Sequence, residues 1–473
     1  MKRPEPTLIV FITLTGLTQL VYLIVFTLPF PLARLFATIP PVDYAKLTGY
    51  SVTGVVAFVL GLLILFGVYI WLLKWPSTPT LPDTAPYTGL LFALTLMFSY
   101  PLLAIDLFIY ALRTRGWGLY GFNPLATPPD ALPATDPWPG LAAEWHSAAS
   151  PYGVLWEVLS LGAFRLTGGD FLAHLFALKG IAIISYVGCI FLIGAILDKL
   201  QPRWKVVGMF AFAWNPLVLL ETAQNGHNDI VMVFFLLAAL WALAAGKERW
   251  AIPLLALSVL VKFVTILIAP LLILHLAMKR ATWPQRLLSV IGCSLVLVML
   301  VIGPTFPLWP GIENWAVLQA GSVAGRSLLA LSVLALRPMV GVNTAFDMSR
   351  LGINGLFIGI CLWLLWRERR TFAQLTTPIF VGWGVFFWYV LLVAPVFHAW
   401  YILWFLPLAI VLLPGQRPLR ASIIFSATGL LIISYYETMR VWWPVLLQNP
   451  LWGHLIGVPL LLVPPAIGAL YRN

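Results

Sequence analysis

Apolar runs of about 18 residues or more recur along the whole chain, and a helix of that length crosses the roughly 30 Å hydrocarbon core of a bilayer. The runs are continuous rather than alternating, so they read as helices and not as strands of a lipid-facing barrel. Only 10% of the 473 residues are charged, against about 25% in a soluble globular protein. That is too little charge to cover a water-facing surface, so lipid must be the solvent for most of the chain. The expected fold class is an all-α polytopic membrane protein with about 12–14 transmembrane helices.

The runs place spans near 8–32, 51–74, 89–110, 172–197, 205–221, 228–245, 285–305, 351–367, 376–395, 399–414, 420–436 and 452–471. Residues 250–278 are too long for one ordinary helix and carry Lys262 at their middle, so they read as two short helices meeting near Lys262 and Phe263. The start Met1-Lys2-Arg3 precedes an apolar run too long for a signal peptide and without a small-residue cleavage site, so this run reads as a retained first span.

The positive-inside rule supports this layout. With Met1 in the cytoplasm, Lys199/Arg203/Lys205, Lys247/Arg249, Lys279/Arg280/Arg286, Arg367/Arg369/Arg370 and Arg417/Arg420 all fall in short inner loops, with Lys74 and Arg472 on the same side. Well over half of the 28 basic residues then lie inside. Treating 250–278 as one span would invert every later loop. The net charge of +11 therefore points to topology and anionic lipid head groups rather than to nucleic acid. Both termini are expected in the cytoplasm of a bacterial-type inner membrane. The organisation expected is a transmembrane hairpin (1–88), a central module (89–305) holding a large outer loop (111–171), an outer segment with a short interfacial helix (306–350), and C-terminal spans (351–473).

Polar chemistry is scarce and falls on the outer side. Asp106 is read as ending the third span, where a carboxylate is costly unless solvated, paired or functional; a general base is one such function. Gly121-Phe122-Asn123-Pro124 follows, then Glu144, His146 and Ser150-Pro151-Tyr152-Gly153-Val154-Leu155-Trp156, whose aromatics offer flat faces of the kind that stack on sugar rings. Gln224-Asn225-Gly226-His227-Asn228-Asp229 breaks two apolar runs and supplies donors and acceptors; a plain turn with Asp229 capping the next helix is the simpler account. His227 with Asp229 could hold a divalent ion, but no third ligand stands at helical spacing, and no cofactor is expected. Lys262 needs an anionic partner, which a phosphate or a carboxylate supplies equally well. His398 sits at another outer corner, suited to donate to a phosphate oxygen. Arg326, Arg337 and Arg440 are further outer cations, first read as interface anchors. Cys189, Cys293 and Cys361 lie in apolar runs with no paired spacing, indicating neither disulfides nor a metal site. No Walker pattern or zinc-protease signature occurs, so nucleotide-driven transport has no support.

In order and spacing, Asp-Leu-Phe-x-Tyr (106–110), Gly-Phe-Asn-Pro (121–124), Ser-Pro-Tyr-Gly-x-Leu-Trp (150–156), Gly-His-Asn-Asp (226–229), Val-Lys-Phe (261–263) and His-Ala-Trp-Tyr (398–401) resemble the GT-C superfamily of membrane glycosyltransferases that use polyprenyl-phosphate sugars. They look most like the polyprenol-phosphomannose-dependent α-mannosyltransferases of bacterial envelope synthesis. The resemblance covers roughly residues 100 to 405.

It implies an inverting transfer of a sugar, mannose first, to a lipid or glycan acceptor at the outer face, with Asp106 as base. Tyr110, Asn123, Glu144, His146, Tyr152, Trp156, Asn225, His227, Asn228, Asp229, Trp400 and Tyr401 would then form the substrate site. Lys262, His398 and Arg326 would meet the donor phosphate. Ala399 stands where related sequences often have Pro, and Glu144 is the only candidate for the second acid common near the base. Two rival classes stay open on the residues alone, a glycolipid transporter or flippase and a non-catalytic subunit of a membrane complex.

Overall fold

The computed structural model describes residues 8–38, 43–74, 82–313, 315–316 and 324–471. Lys2 and Arg3 at the start of the chain, Arg472, placed above on the inner side, and the side chains of Glu144 and Arg440 lie outside the described residues. In chain order the helices are α1 (Leu8–Val21), α2 (Val52–Lys74), α3 (Thr88–Met97), α4 (Asp106–Tyr120), α5 (Val154–Leu166), α6 (Phe171–Leu200), α7 (Lys205–Ala213), α8 (Pro216–Leu219), α9 (Asp229–Ala244), α10 (Ala251–Val261), α11 (Ala269–Met278) and α12 (Trp283–Thr305), followed by α13 (Leu328–Val340), α14 (Val342–Glu368), α15 (Thr376–Trp388), α16 (Leu406–Val411), α17 (Gln416–Trp442) and α18 (Pro450–Leu470). Among the described residues there is no strand, only the isolated bridges Pro31–Ser99 and Gly325–Val396.

Among the described residues, eight helices are long and apolar enough to cross a membrane, or nine if the pair Pro202–Ala213 and Pro216–Gln224, bent by 53°, is one span. The chain is thus an all-α polytopic membrane protein. The expected 12–14 spans counted as full crossings several helices that are short, such as Asp229–Ala244. Lipid-facing and core helices are clearly sorted. Only 6% of the apolar window of Trp283–Leu308 and 11% of that of Val342–Glu368 is buried, against 72% for Thr376–Val393, so α12 and α14 stand at the periphery with lipid as their solvent.

Three breaks place the polar residues. Asn215 caps α8, accepting from the N–H groups of Leu217 and Val218 at 3.0 and 3.4 Å, and Pro216 begins the new helix, where its missing N–H costs nothing. The helical turn that follows ends at Gly226, whose φ of +73° is the left-handed conformation glycine tolerates. Lys262 is extended (φ −150°, ψ 121°) between α10 and the 3₁₀ turn Phe263–Ile268. The Lys262 break matches the split read from the sequence. Lys262 bonds Asp229 at the start of α9, while Glu248 pairs with Lys279 and Arg280. α9, α10 and α11 therefore alternate in direction, with Glu248, Lys279 and Arg280 at the end opposite Lys262.

The third break corrects the sequence reading. Residues 89–110 are not one span ending at Asp106: α3 stops at Met97, turns occupy 98–105, and Asp106 begins α4. Pro101 disfavours the helical region at Tyr100 and can donate no bond itself. The carbonyls freed at the end of α3 are taken by the buried Lys179 ammonium, which reaches Met97 O at 3.0 Å, Leu96 O at 3.3 Å and also Ser99 O. Segment 111–171, read as the large outer loop, contains helices. It holds the rest of α4, short 3₁₀ turns and all of α5.

Candidate active site

The helix starts and breaks just described bring one cluster together. Asp106, half-buried, accepts a hydrogen bond from the Tyr152 hydroxyl at 2.9 Å through Oδ1. Tyr152 is held there by backbone packing: Gly153 N–H donates to Val261 O at 3.0 Å, and a Cβ on Gly153 would lie 2.1 Å from Leu260 O. Only glycine allows that approach, and it binds the Ser150–Gly153 turn to the Lys262 break. Behind the turn, Arg113 donates to Ala148 O at 2.8 Å and Ser150 Oγ to Glu157 at 2.5 Å. Burial pushes the Glu157 carboxyl up and the Arg113 guanidinium down, and each is partly offset by the other's charge.

Lys262 does not stand free. Its ammonium reaches both oxygens of Asp229, at 2.8 and 2.9 Å, and lies 5.5 to 5.7 Å from the ring centres of Tyr152, Tyr401 and Trp404. Trp404 Nε1 donates to the same carboxylate at 2.5 Å. Of the two anions that could satisfy Lys262, the protein supplies the carboxylate. Asp229 accordingly does not cap α9; the residue at the cap, Asn228, makes no side-chain capping bond either.

His227 is fully buried and stacks on Trp400 (4.0 Å, 25°), which also carries His398 (4.2 Å, 20°). His227 Nε2 lies 3.2 Å from Oε2 of the equally buried Glu221, at ion-pair distance without the alignment of a good hydrogen bond. Asn225 Nδ2 donates to that oxygen at 2.9 Å, and Asn225 Oδ1 accepts from Leu103 N at 3.3 Å. Tyr110 packs edge-on against Tyr152 and Trp156 and reaches Asn228 Oδ1 at 3.4 Å. Burial drives His227 toward the neutral form, but Glu221, Asp106 and Asp229 outweigh it and raise its pKa. Burial wins at His398, whose pKa is lowered to about 3 despite Asp106, with Arg326, Lys262 and His227 adding to the fall. Arg326, at a left-handed φ of +53°, pairs with Glu437 and lies 5.4 Å from the Tyr436 ring centre.

Twelve of the residues singled out from sequence therefore share one cluster: Asp106, Tyr110, Tyr152, Trp156, Asn225, His227, Asn228, Asp229, Lys262, His398, Trp400 and Tyr401. Arg326 stands at its edge. Asn123 instead holds a turn, with Nδ2 donating to Leu308 O at 2.9 Å and Oδ1 accepting from Leu125 N. His146 is exposed beside Asp130, 3.6 Å away. Glu221 and Trp404 were missed. Glu221 closes an apolar run, and the rule applied to Asp106, that an acid in a span needs a reason, would have found it. Trp404 carried no comparable signal among the chain's 22 tryptophans.

Among the described residues, no group of three or more His, Cys, Asp or Glu is placed to hold a metal ion. Asp229 beside His227 is committed to Lys262. The carboxylates are unequal. Asp229, Glu221 and Glu437 each have a cationic or imidazole partner; Asp106 has a neutral hydroxyl and, among the described residues, no cation at ion-pair distance.

The family model described as "Alpha-(1->6)-mannopyranosyltransferase, N-terminal domain" matches residues 29–278, which include Asp106, Glu221, His227, Asp229 and Lys262. Alpha-(1->6)-mannopyranosyltransferase A of Mycobacterium tuberculosis (strain ATCC 25618 / H37Rv) is 24% identical over 407 residues, 77% of this chain and 75% of the relative. The apo crystal structure of the Archaeoglobus fulgidus oligosaccharyltransferase aligns over 82% of this chain with 12% identity and a TM-score of 0.40. The chain spans about half of that longer protein, 55%. The family match covers more than half of the chain and contains nine of the twelve cluster residues: the chain belongs to the α-(1→6)-mannopyranosyltransferase family and is a membrane-embedded α-mannosyltransferase.

Proposed function

We propose that the protein transfers mannose from a polyprenyl-phosphate donor to a lipid or glycan hydroxyl at the outer face of a bacterial inner membrane, by a single inverting displacement with Asp106 as base. The observation that carries this is the inequality of the carboxylates: of Asp106, Glu221 and Asp229, only Asp106 has no charged or imidazole partner at ion-pair distance among the described residues. The Asp106 carboxylate takes the proton of the acceptor hydroxyl as its oxygen bonds to the anomeric carbon. The bond from that carbon to the phosphate oxygen breaks, and the lipid phosphate leaves with the electron pair. Tyr110, Tyr152, Trp156, Trp400 and Tyr401 supply flat faces for a sugar ring.

The peripheral helices α12 and α14 leave apolar surface for a lipid-borne donor, and the Lys262–Asp229 pair lies at the opposite end of α10 from Glu248, Lys279 and Arg280. By the positive-inside rule that end is outside and the termini are cytoplasmic. The reading requires no metal, since the cluster's own groups cover base and charge stabilisation.

Asp106→Asn removes the base while preserving shape. With purified protein, radiolabelled polyprenyl-phosphate mannose and a membrane lipid extract, transfer should fall by about 10²–10⁴-fold with the melting temperature unchanged. Normal turnover by this variant would refute the base. Label moving from another polyprenyl-phosphate sugar, but not from mannose, would refute the donor.

A further inference from the structure

The charges of the site are matched one to one, and this decides which group is left to meet an anion. Lys262 spends hydrogen bonds on both oxygens of Asp229 and is enclosed by three aromatic rings. Arg326 is paired with Glu437. His398 is held neutral at ordinary pH by burial, opposed by Asp106 and reinforced by Arg326, Lys262 and His227. His227 differs. It is fully buried, one ring nitrogen sits 3.2 Å from Glu221, and the other, Nδ1, has no partner among the described residues. Glu221 Oε1 and Asn228 Nδ2 are likewise buried with no partner among the described residues. Buried polar atoms without partners are rare in folded proteins. Three of them within residues 221–228 mark the place of a polar ligand.

We propose that Glu221 is a positioning residue that holds His227 as an imidazolium, and that His227 Nδ1–H donates to a phosphate oxygen of the bound donor. The inference rests on the reading of a phosphate-bearing donor given above. It moves the phosphate contact from Lys262 and His398 to His227. Three features fix the charge on this imidazole. The Glu221 carboxylate, itself completely buried, needs a compensating proton nearby. Trp400 stacks at 4.0 Å and stabilises a cation on its face. The groups facing His227 are predominantly acidic: Glu221 from the preceding turn, Asp229 from α9 and Asp106 from α4, against a neutral His398 across Trp400 and cations already paired. A protonated imidazole has two N–H donors. Glu221 stands at ion-pair distance from one, and the other awaits an anion. As the lipid phosphate departs, charge develops on its oxygen, and a pre-placed N–H donor stabilises it.

The test uses the full chain in lipid nanodiscs with ¹⁵N-labelled histidine. There are six histidines, and His227→Asn assigns the signal. In the wild type, the His227 ring should remain doubly protonated through pH 7. In Glu221→Gln, which keeps shape, burial is no longer opposed at close range, and the signal should titrate lower by one pH unit or more. Adding polyprenyl phosphate should shift the wild-type His227 signal; inorganic phosphate should not match it at equal concentration.

Kinetics give a second readout. Because Glu221 raises the folded pKa, the imidazolium is present below that value and is lost as pH rises through it. Glu221→Gln should therefore raise the donor KM about tenfold near neutrality, and acid should shrink the defect. A merely structural role would give a defect independent of pH. Equal titration of His227 in both proteins, or a neutral ring in the wild type at pH 7, would overturn the proposal even if the wild type transfers mannose. An intact titration contrast with no transfer and no response to any lipid phosphate would overturn the donor reading and the phosphate contact with it.

Discussion

At the scale of single residues, the Lys262–Asp229 pair shows how a charge is carried at the end of an apolar helix. Asp229 is fully buried and Lys262 nearly so, with 16% of its side chain exposed. Desolvating two ions costs several kcal/mol each, and close pairing roughly repays it. Removing one partner leaves the other uncompensated. Asp229→Asn is expected to destabilise the protein by about 3–5 kcal/mol, read as a large fall in melting temperature in detergent, and Asp229→Leu combined with Lys262→Met should recover most of it. If the double variant melts no higher than the single one, the pair is not the source of the loss. Pairings of this kind are hard to read from a sequence. Lys262 announced that it needed an anion, but a carboxylate 33 residues away and a phosphate satisfy the same need. Glu221 was absorbed into a run of hydrophobic neighbours, and its link to His227 exists only because Gly226 turns the chain back.

At the scale of elements, the positions of breaks decide where the chemistry lies. The Lys262 break was legible because an ammonium cannot sit mid-span without a partner. The break after Met97 was not, because Phe98 to Ile105 is itself mostly apolar and the helix end is satisfied by Lys179, 82 residues away from Met97. Misplacing it turned Asp106 from the first residue of a helix into the last. In truth its carboxylate lies in the first turn of α4, where the helix dipole favours the anion. The coupling between Gly153 and the α10 end is an element-scale device, since it sets Tyr152 against both Asp106 and Lys262. Gly153→Ala must push the Ser150–Gly153 turn off Leu260. Transfer should drop at least tenfold, the scale of loss expected when a small displacement misplaces a reacting group, while the chain still inserts and purifies as a folded protein. Wild-type turnover by Gly153→Ala would show that the close approach does not position Tyr152.

At the scale of the whole molecule, the family model ends at residue 278, yet the cluster is finished by His398, Trp400, Tyr401 and Trp404 from the turns before α16. The C-terminal helices are therefore part of the site. The all-helical class, the polar end of the bundle and most of the cluster were readable from hydropathy, charge asymmetry and short motifs. Asn123 and His146 were not separable from the residues of the cluster, because a turn-forming Asn and a surface His look the same in sequence as residues gathered in a cluster. The most direct measurement of the central claim is an experimental structure of Asp106→Asn in nanodiscs with polyprenyl-phosphate mannose. The account predicts the sugar against Tyr152 and Trp400, its anomeric carbon facing residue 106, and its phosphate beside His227. Donor bound at the end of the bundle that holds Lys247 and Arg280, or with its phosphate remote from His227 and residue 106, would contradict it.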